Sequence, residues 1–140
     1  RLDRQLCFAV YSASALMTRA YRPLLEPLGL TYPQYLVMLV LWERGRRSVG
    51  DLGEALGLDS GTLTPLLKRM EASGLITRRR DSADERRVLI DLTEAGRDLR
   101  ERAAEVPRAL ACALPVPAED AAALRDAIQD FTRRMKAAGA

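Results

Sequence analysis

The chain has no histidine and only two cysteines, Cys7 and Cys112. The common zinc arrangements need three or four Cys, His or carboxylate ligands at tight spacing, so no metal is expected. Without an imidazole the usual general base is missing, which argues against hydrolase triads and against an enzyme. Aromatic residues make up only 5% of the sequence, so Leu, Val and Ala must do most of the packing. No apolar run reaches the roughly 18 residues of a membrane span. No repeat, low-complexity linker or signal-peptide pattern is visible, and the first residue is Arg1 rather than Met. These absences lead us to expect a protein without cofactor or membrane partner, in a soluble, reducing, cytoplasmic setting.

What is present fits a folded chain. With 140 residues and 48% hydrophobic content, a single domain spanning 1–140 is expected. The net charge of +3 says little by itself. It gains meaning because the positive groups cluster, in Arg78-Arg79-Arg80 and in Arg86-Arg87.

The hydrophobic pattern predicts mostly helix. Leu6, Val10, Ala13, Met17 and Ala20 recur at three- and four-residue steps, which predicts a helix over Leu2 to Tyr21 stopped by Pro23 and Pro27. A second helix is expected after Thr31, with Pro33 in its first turn, ending before Gly45. Ser48 with Asp51 three residues later predicts a short capped helix ending near Gly57. A tight connection then leads to another helix, whose buried stripe is Leu63, Leu66, Leu67 and Met70. Pro65 is expected to limit where that helix begins. Leu75 to Arg80 and Arg86 to Leu92 read as two strands joined by Asp81 to Glu85. Thr93 is expected to cap a helix through Ala104, disturbed by Pro107. Pro115 and Pro117 precede a last helix near Ala118 to Lys136.

A short helix, a tight turn, a second helix and a basic hairpin form the layout of a winged helix-turn-helix, at about residues 31–92. The expected fold is therefore mainly α with a small β-hairpin wing. The second helix of the pair would enter the major groove of double-stranded DNA, and the hairpin would follow the backbone or the minor groove. The groove-facing side is small and mostly polar. Ser60, Thr62 and Thr64, beside Gly61 and Pro65, can approach phosphates or base edges, while Lys68 and Arg69 add charge. In the hairpin Arg78, Arg86 and Arg87 are candidate DNA contacts, with Asp84 or Glu85 orienting Arg86. Taken alone, such a charge run is also what a solvated hairpin looks like.

Leu58-Asp59-Ser60-Gly61-Thr62-Leu63-Thr64-Pro65-Leu66-Leu67-Lys68-Arg69-Met70-Glu71, then Gly74-Leu75-Ile76-Thr77-Arg78 and Asp84-Glu85-Arg86-Arg87, resembles the MarR-type repressors. Leu6-Cys7-Phe8-Ala9-Val10-Tyr11 and Leu30-Thr31-Tyr32-Pro33-Gln34-Tyr35 are similar to the organic-hydroperoxide-sensing OhrR branch. The resemblance spans essentially the whole chain. It implies a homodimer paired through helices at about 1–25 and 93–140 that represses from a palindromic operator.

A thiol in the first turns of a helix lies near the positive end of the helix dipole, which favours thiolate. Cys7 holds such a position, and with no histidine the natural donors to it are tyrosine hydroxyls. Tyr11 lies four residues on, along the same helical face. Tyr21 follows Cys7 by fourteen positions (21 − 7), about 21 Å along a continuous helix, too far to touch that sulfur. An antiparallel first helix from a second subunit would bring Tyr21 and Tyr32 to it. The resemblance implies the same site, a sensing cysteine bonded to tyrosines matching Tyr21 and Tyr32, with Tyr11 at a further position of the motif. Cys112, between Pro107 and Pro115, is expected on a broken helix with mobile backbone. The sequence resembles the two-cysteine members, which implies a disulfide between Cys7 and the partner subunit's Cys112. Two alternatives remain from the residues: a MarR-type repressor released by a small aromatic ligand, with Cys7 merely packing, and a thiol peroxidase.

Overall fold

The computed structural model describes residues 1–139. Arg1–Val106 form one compact unit, and the residues from Pro107 onward form a second.

A 3-10 turn at Leu2–Arg4 precedes helix α1, Leu6–Leu25. Pro23 sits inside this helix instead of stopping it. In the last turn a proline removes one ladder bond and leaves the rest of the helix intact. The chain turns only after a 3-10 turn at Glu26–Leu28, where Gly29 takes a left-handed φ of 70°. Helix α2, Tyr32–Arg44, opens with a complete capping box between Thr31 and Gln34 and carries Pro33 in its first turn.

The helix-turn-helix follows. Strand β1, Arg47–Ser48, leads into helix α3, Val49–Leu56, capped reciprocally by Ser48 and Asp51. Gly57 closes α3 and Asp59 caps helix α4, Ser60–Ala72. The turn is tight enough that a Cβ on Gly53 would stand 2.6 Å from the Leu58 carbonyl oxygen. Pro65 lies inside α4 and does not mark its start. The Asp59 side chain accepts from the Thr62 N–H at 2.8 Å, which fixes the helix origin upstream of the proline.

Strands β2, Ile76–Arg80, and β3, Val88–Leu92, form the expected antiparallel hairpin, with Arg78 opposite Ile90. Two details differ from expectation. Arg86 and Arg87 belong to the turn, because the backbone bonds Asp81 N–H to Arg87 C=O (2.9 Å) and Arg87 N–H to Asp84 C=O (2.9 Å) close a loop there. A third strand also exists: β1 pairs with β3 through Arg47–Ile90 and Ser48–Leu89, giving the order β1-β3-β2. At two residues β1 is too short to leave an alternation in the sequence.

Helix α5, Glu94–Ala103, is capped by Thr93. Its start is locked onto the hairpin. The Thr93 hydroxyl donates to the Gly74 carbonyl at 2.6 Å, and the Trp42 indole N–H of α2 donates to the Gly96 carbonyl at 2.9 Å. Helix α6 covers Val106–Ala113 and helix α7 covers Ala118–Ala137. Cys112 is therefore helical, not on broken backbone: Pro107 takes a first-turn position, where its missing N–H has no ladder partner to lose.

The core of the first unit is aliphatic, as the scarcity of aromatics requires. Leu25, Val37, Met38, Leu41, Leu52, Leu63, Leu67, Met70, Ile76 and Ile90 are fully buried. It draws on α1, α2, both helix-turn-helix helices and the hairpin, so the reading head rests on one packed base. No single helix among the described residues is long and apolar enough to cross a membrane.

Candidate functional site

Two faces carry the residues singled out by the sequence. The first is basic. Leu63, Leu66, Leu67 and Met70 turn one side of α4 into the core. The helical period therefore turns Ser60, Gly61, Thr62, Pro65, Lys68 and Arg69 outward, with Thr64 half-buried between the faces. Neither Lys68 nor Arg69 has an ion-pair partner among the described residues. Between α4, the start of α3 and the wing lies a cleft of 810 Å³ lined by Lys68, Arg78, Arg79, Arg80, Arg86 and Arg87. Lining an open cleft with one sign of charge focuses the field toward a polyanion.

The arginines of this face are not equivalent. Arg86 stands on the wing turn with its side chain 91% exposed, while Asp84 holds its Nε at 3.1 Å and Nη2 at 3.4 Å. That contact, together with the Arg86 N–H, keeps the Asp84 carboxyl below its ordinary range. Of the two acids expected to orient Arg86, Asp84 does so; Glu85 instead offers its backbone carbonyl to Arg80 at 2.7 Å. Arg78 turns back onto α4, with Nε 3.4 Å from the Glu71 carboxylate, which also accepts from the Arg78 N–H at 3.1 Å. Arg87 lies between Asp51 (3.7 Å) and Asp81 (3.6 Å).

The second face carries the thiol. Cys7 is the second residue of α1, free and exposed. Around it Leu6, Phe8, Val10, Tyr11, Leu16 and Met17 are exposed too, and α1 buries only Leu25 within this chain. In the second unit α7 buries no residue, leaving Leu124, Ile128, Phe131 and Met135 exposed, and Cys112 is free and exposed.

Tyr21 and Tyr32 come together at the far end of α1, with ring centroids 4.6 Å apart. A third ring, Tyr35, completes the cluster at 5.8 Å from Tyr21 and 6.5 Å from Tyr32. Burial, then the neighbouring Tyr32 and Tyr35 hydroxyls, push Tyr21 up from 10.0 to about 12. Burial raises Tyr32 and Tyr35 as well. The hydroxyls therefore stay protonated and remain donors. Sequence reasoning did not single out Tyr35, although its three-residue spacing from Tyr32 on a helix was the available signal. Tyr11, by contrast, is 72% exposed and stands apart from the cluster. A cleft of 280 Å³ opens beside Tyr32, lined also by Thr18, Arg22, Leu25, Leu30 and Pro33.

A helix-turn-helix followed by a β-hairpin wing that shares a three-stranded sheet with β1, with cations on the second helix that have no ion-pair partner among the described residues, defines a winged-helix protein. Residues 19–102 match the family described as transcriptional regulator SarA/Rot. The chain is 51% identical over 128 residues to the organic hydroperoxide resistance transcriptional regulator of Bacillus subtilis strain 168, covering 91% of this chain and 87% of that protein. The chain belongs to the SarA/Rot-like transcriptional regulators of the MarR family, within the circle of organic-hydroperoxide-sensing relatives. Among solved structures, reduced AbfR bound to DNA superposes with a TM-score of 0.85 at 37% identity, covering 97% of this chain and 93% of that one. The disulfide form of AbfR superposes less well, with a TM-score of 0.67 at 38% identity over 94% and 93%.

Proposed function

We propose that the chain is a redox-sensing transcriptional repressor that binds a palindromic operator as a homodimer and leaves it when an organic hydroperoxide oxidises Cys7. The observation that carries this reading is the coexistence of a cationic reading face with an exposed thiol in the first turn of a helix whose N-terminal apolar side chains are uncovered. The relative's link to organic hydroperoxide resistance points the same way. The chain's likeness to AbfR, solved both reduced on DNA and in a disulfide form, supports a reading in which thiol oxidation governs DNA binding.

Pairing explains what one protomer leaves undone. Rows of exposed apolar side chains on two twenty-residue helices call for cover, and a second copy supplies it symmetrically. With first helices antiparallel, the Tyr21 and Tyr32 hydroxyls of one protomer reach the Cys7 sulfur of its partner. There they stabilise negative charge on the sulfur or on its oxygen adduct.

The chemistry has two steps. The Cys7 sulfur attacks the terminal peroxide oxygen; the O–O bond breaks, the sulfur becomes a sulfenic acid and the alcohol departs. The thiol of the partner subunit's Cys112 then attacks that sulfur. An S–S bond forms, the S–O bond breaks, and the thiol proton leaves with the oxygen as water. The disulfide pulls on helices that position the reading heads, so half-site spacing changes from the roughly one helical turn that suits DNA.

Thr62, Thr64, Lys68 and Arg69 on α4 face the major groove, with Ser60, Gly61 and Pro65 letting the helix approach closely. Arg86 reaches the adjacent minor groove. Arg86→Ala is expected to weaken operator binding by about 1–3 kcal/mol in a mobility-shift titration; unchanged affinity removes it from the interface. After oxidation, non-reducing electrophoresis should show a cross-linked dimer that is absent from Cys112→Ser. A monomeric band from oxidised wild type sinks the intersubunit bond.

A further inference from the structure

We infer that Arg87 is a positioning residue rather than a DNA contact: it braces the turn of the wing against the first helix of the helix-turn-helix. The inference deepens the operator-binding reading and rests on it.

Near its base the wing is anchored by Ile76 and Ile90 in the core and by two polar tethers, the β1–β3 pairing at Leu89 and Ile90 and Arg78 on Glu71. Because Arg78 pairs with Ile90 across the hairpin, both tethers act at the same level. Beyond them the hairpin extends by its own ladder through Arg80–Val88 and then the turn that carries Arg86. The Arg87 guanidinium spans the gap at this outer level. It lies 3.7 Å from the Asp51 carboxylate on α3 and 3.6 Å from Asp81 where the turn leaves β2.

Both ends of the brace are fixed. Asp51 is held by the capping box, its carboxylate accepting from the Ser48 N–H at 3.3 Å while Ser48 Oγ accepts from the Asp51 N–H at 3.0 Å. Those bonds chiefly, then the charges of Arg87 and Arg47, keep the Asp51 carboxyl below its usual range. Asp81 is half-buried and accepts from the Ala83 N–H at 2.9 Å, and the Arg87 main chain closes the turn through both its N–H and its C=O. With a carboxylate on either side, the Arg87 charge is already largely answered, whereas Arg86, next in sequence, projects from the same turn with its side chain 91% exposed. One arginine sets the turn, and its neighbour uses it.

The test is a thermodynamic cycle on a DNA duplex that the wild-type protein selects from a random pool, in the reduced state. Arg87→Ala and Asp51→Asn should each weaken binding about two- to fivefold, the range for an exposed ion pair. Asn at 51 keeps an oxygen for the Ser48 N–H, so α3 retains its cap. The double variant should bind no worse than either single one. Introduced into Arg86→Ala protein, Arg87→Ala should cost nothing more and leave the salt dependence of binding unchanged. If Arg87→Ala keeps its full effect there, or lowers the slope by about one phosphate contact, Arg87 touches DNA and the brace is wrong. An Arg87→Ala protein that binds as wild type does also overturns it. Failure of the wild type to select any duplex defeats the operator reading itself, a distinct result.

Discussion

Cys7→Ser protein is expected to stay on its operator at organic hydroperoxide concentrations at least about a hundredfold above those that release the wild type. A clean switch from bound to released populations requires a differential of about 5.5 kcal/mol between the two dimer shapes. In the proposed mechanism all of it comes from the covalent step at one sulfur. A hydroxyl offers no route to a sulfenic acid, so the differential disappears rather than shrinking. The substitution is otherwise mild. Cys7 is exposed in the first turn of α1, where serine is well tolerated, so affinity in the absence of oxidant should be unchanged. A mobility-shift titration decides the matter. If Cys7→Ser protein is released as readily as wild type, redox sensing is wrong, and a ligand-released repressor becomes the better reading.

The second large effect concerns folding. Gly96→Ala is expected to destabilise the unit Arg1–Val106 by about 3 kcal/mol, the upper end for overpacking a rigid site. For a unit of this size the melting temperature should fall by on the order of 10–20 °C. A Cβ at this position would fall on the carbonyl oxygen of Leu75 and stand 3.2 Å from the Leu92 side chain. Neither neighbour can retreat easily. The Leu75 carbonyl accepts the Thr93 N–H at 3.1 Å, and the Gly96 carbonyl is held by Trp42. Gly50→Ala is the control: its Cβ would meet only Ser48 Oγ, at 3.8 Å, in a helix that alanine favours. Equal melting temperatures for Gly96→Ala and wild type would mean that the joint is softer than its contacts imply.

Much of this architecture was legible because local rules and tertiary packing agree. The capping pairs Thr31–Gln34 and Ser48–Asp51 and the stripe Leu63-Leu66-Leu67-Met70 are local signals, and each element formed where they placed it. The prolines are the less reliable signal. Pro23 reads as a stop and Pro65 as a limit on where its helix begins, yet both lie within helices, whereas the helix capped by Thr93 does end just ahead of Pro107, which enters the first turn of α6. A proline removes one donor and excludes one carbonyl, and neighbouring caps and a packed face outweigh that loss.

The site was legible in its residue types but less so in its pairings. The partners of Arg78 and Arg87 are Glu71, Asp51 and Asp81, and Asp51 lies far from Arg87 in sequence. No spacing rule connects such residues; only the folded wing does. Tyr35 likewise reads as core in a helix of apolar neighbours, and its place in the ring cluster emerges when α1 packs on α2.

The chain contains a single tryptophan, and its indole N–H is tied to the Gly96 carbonyl at 2.9 Å, joining α2 to α5. Indole emission is sensitive to the polarity and hydrogen bonding around the ring. Any transition that draws α5 away from α2 breaks this bond and admits water, shifting the emission to longer wavelength. The protein thus carries an unlabelled optical gauge at the joint between α2 and α5. Mixed rapidly with oxidant, it can time that joint's movement separately from the chemistry at sulfur.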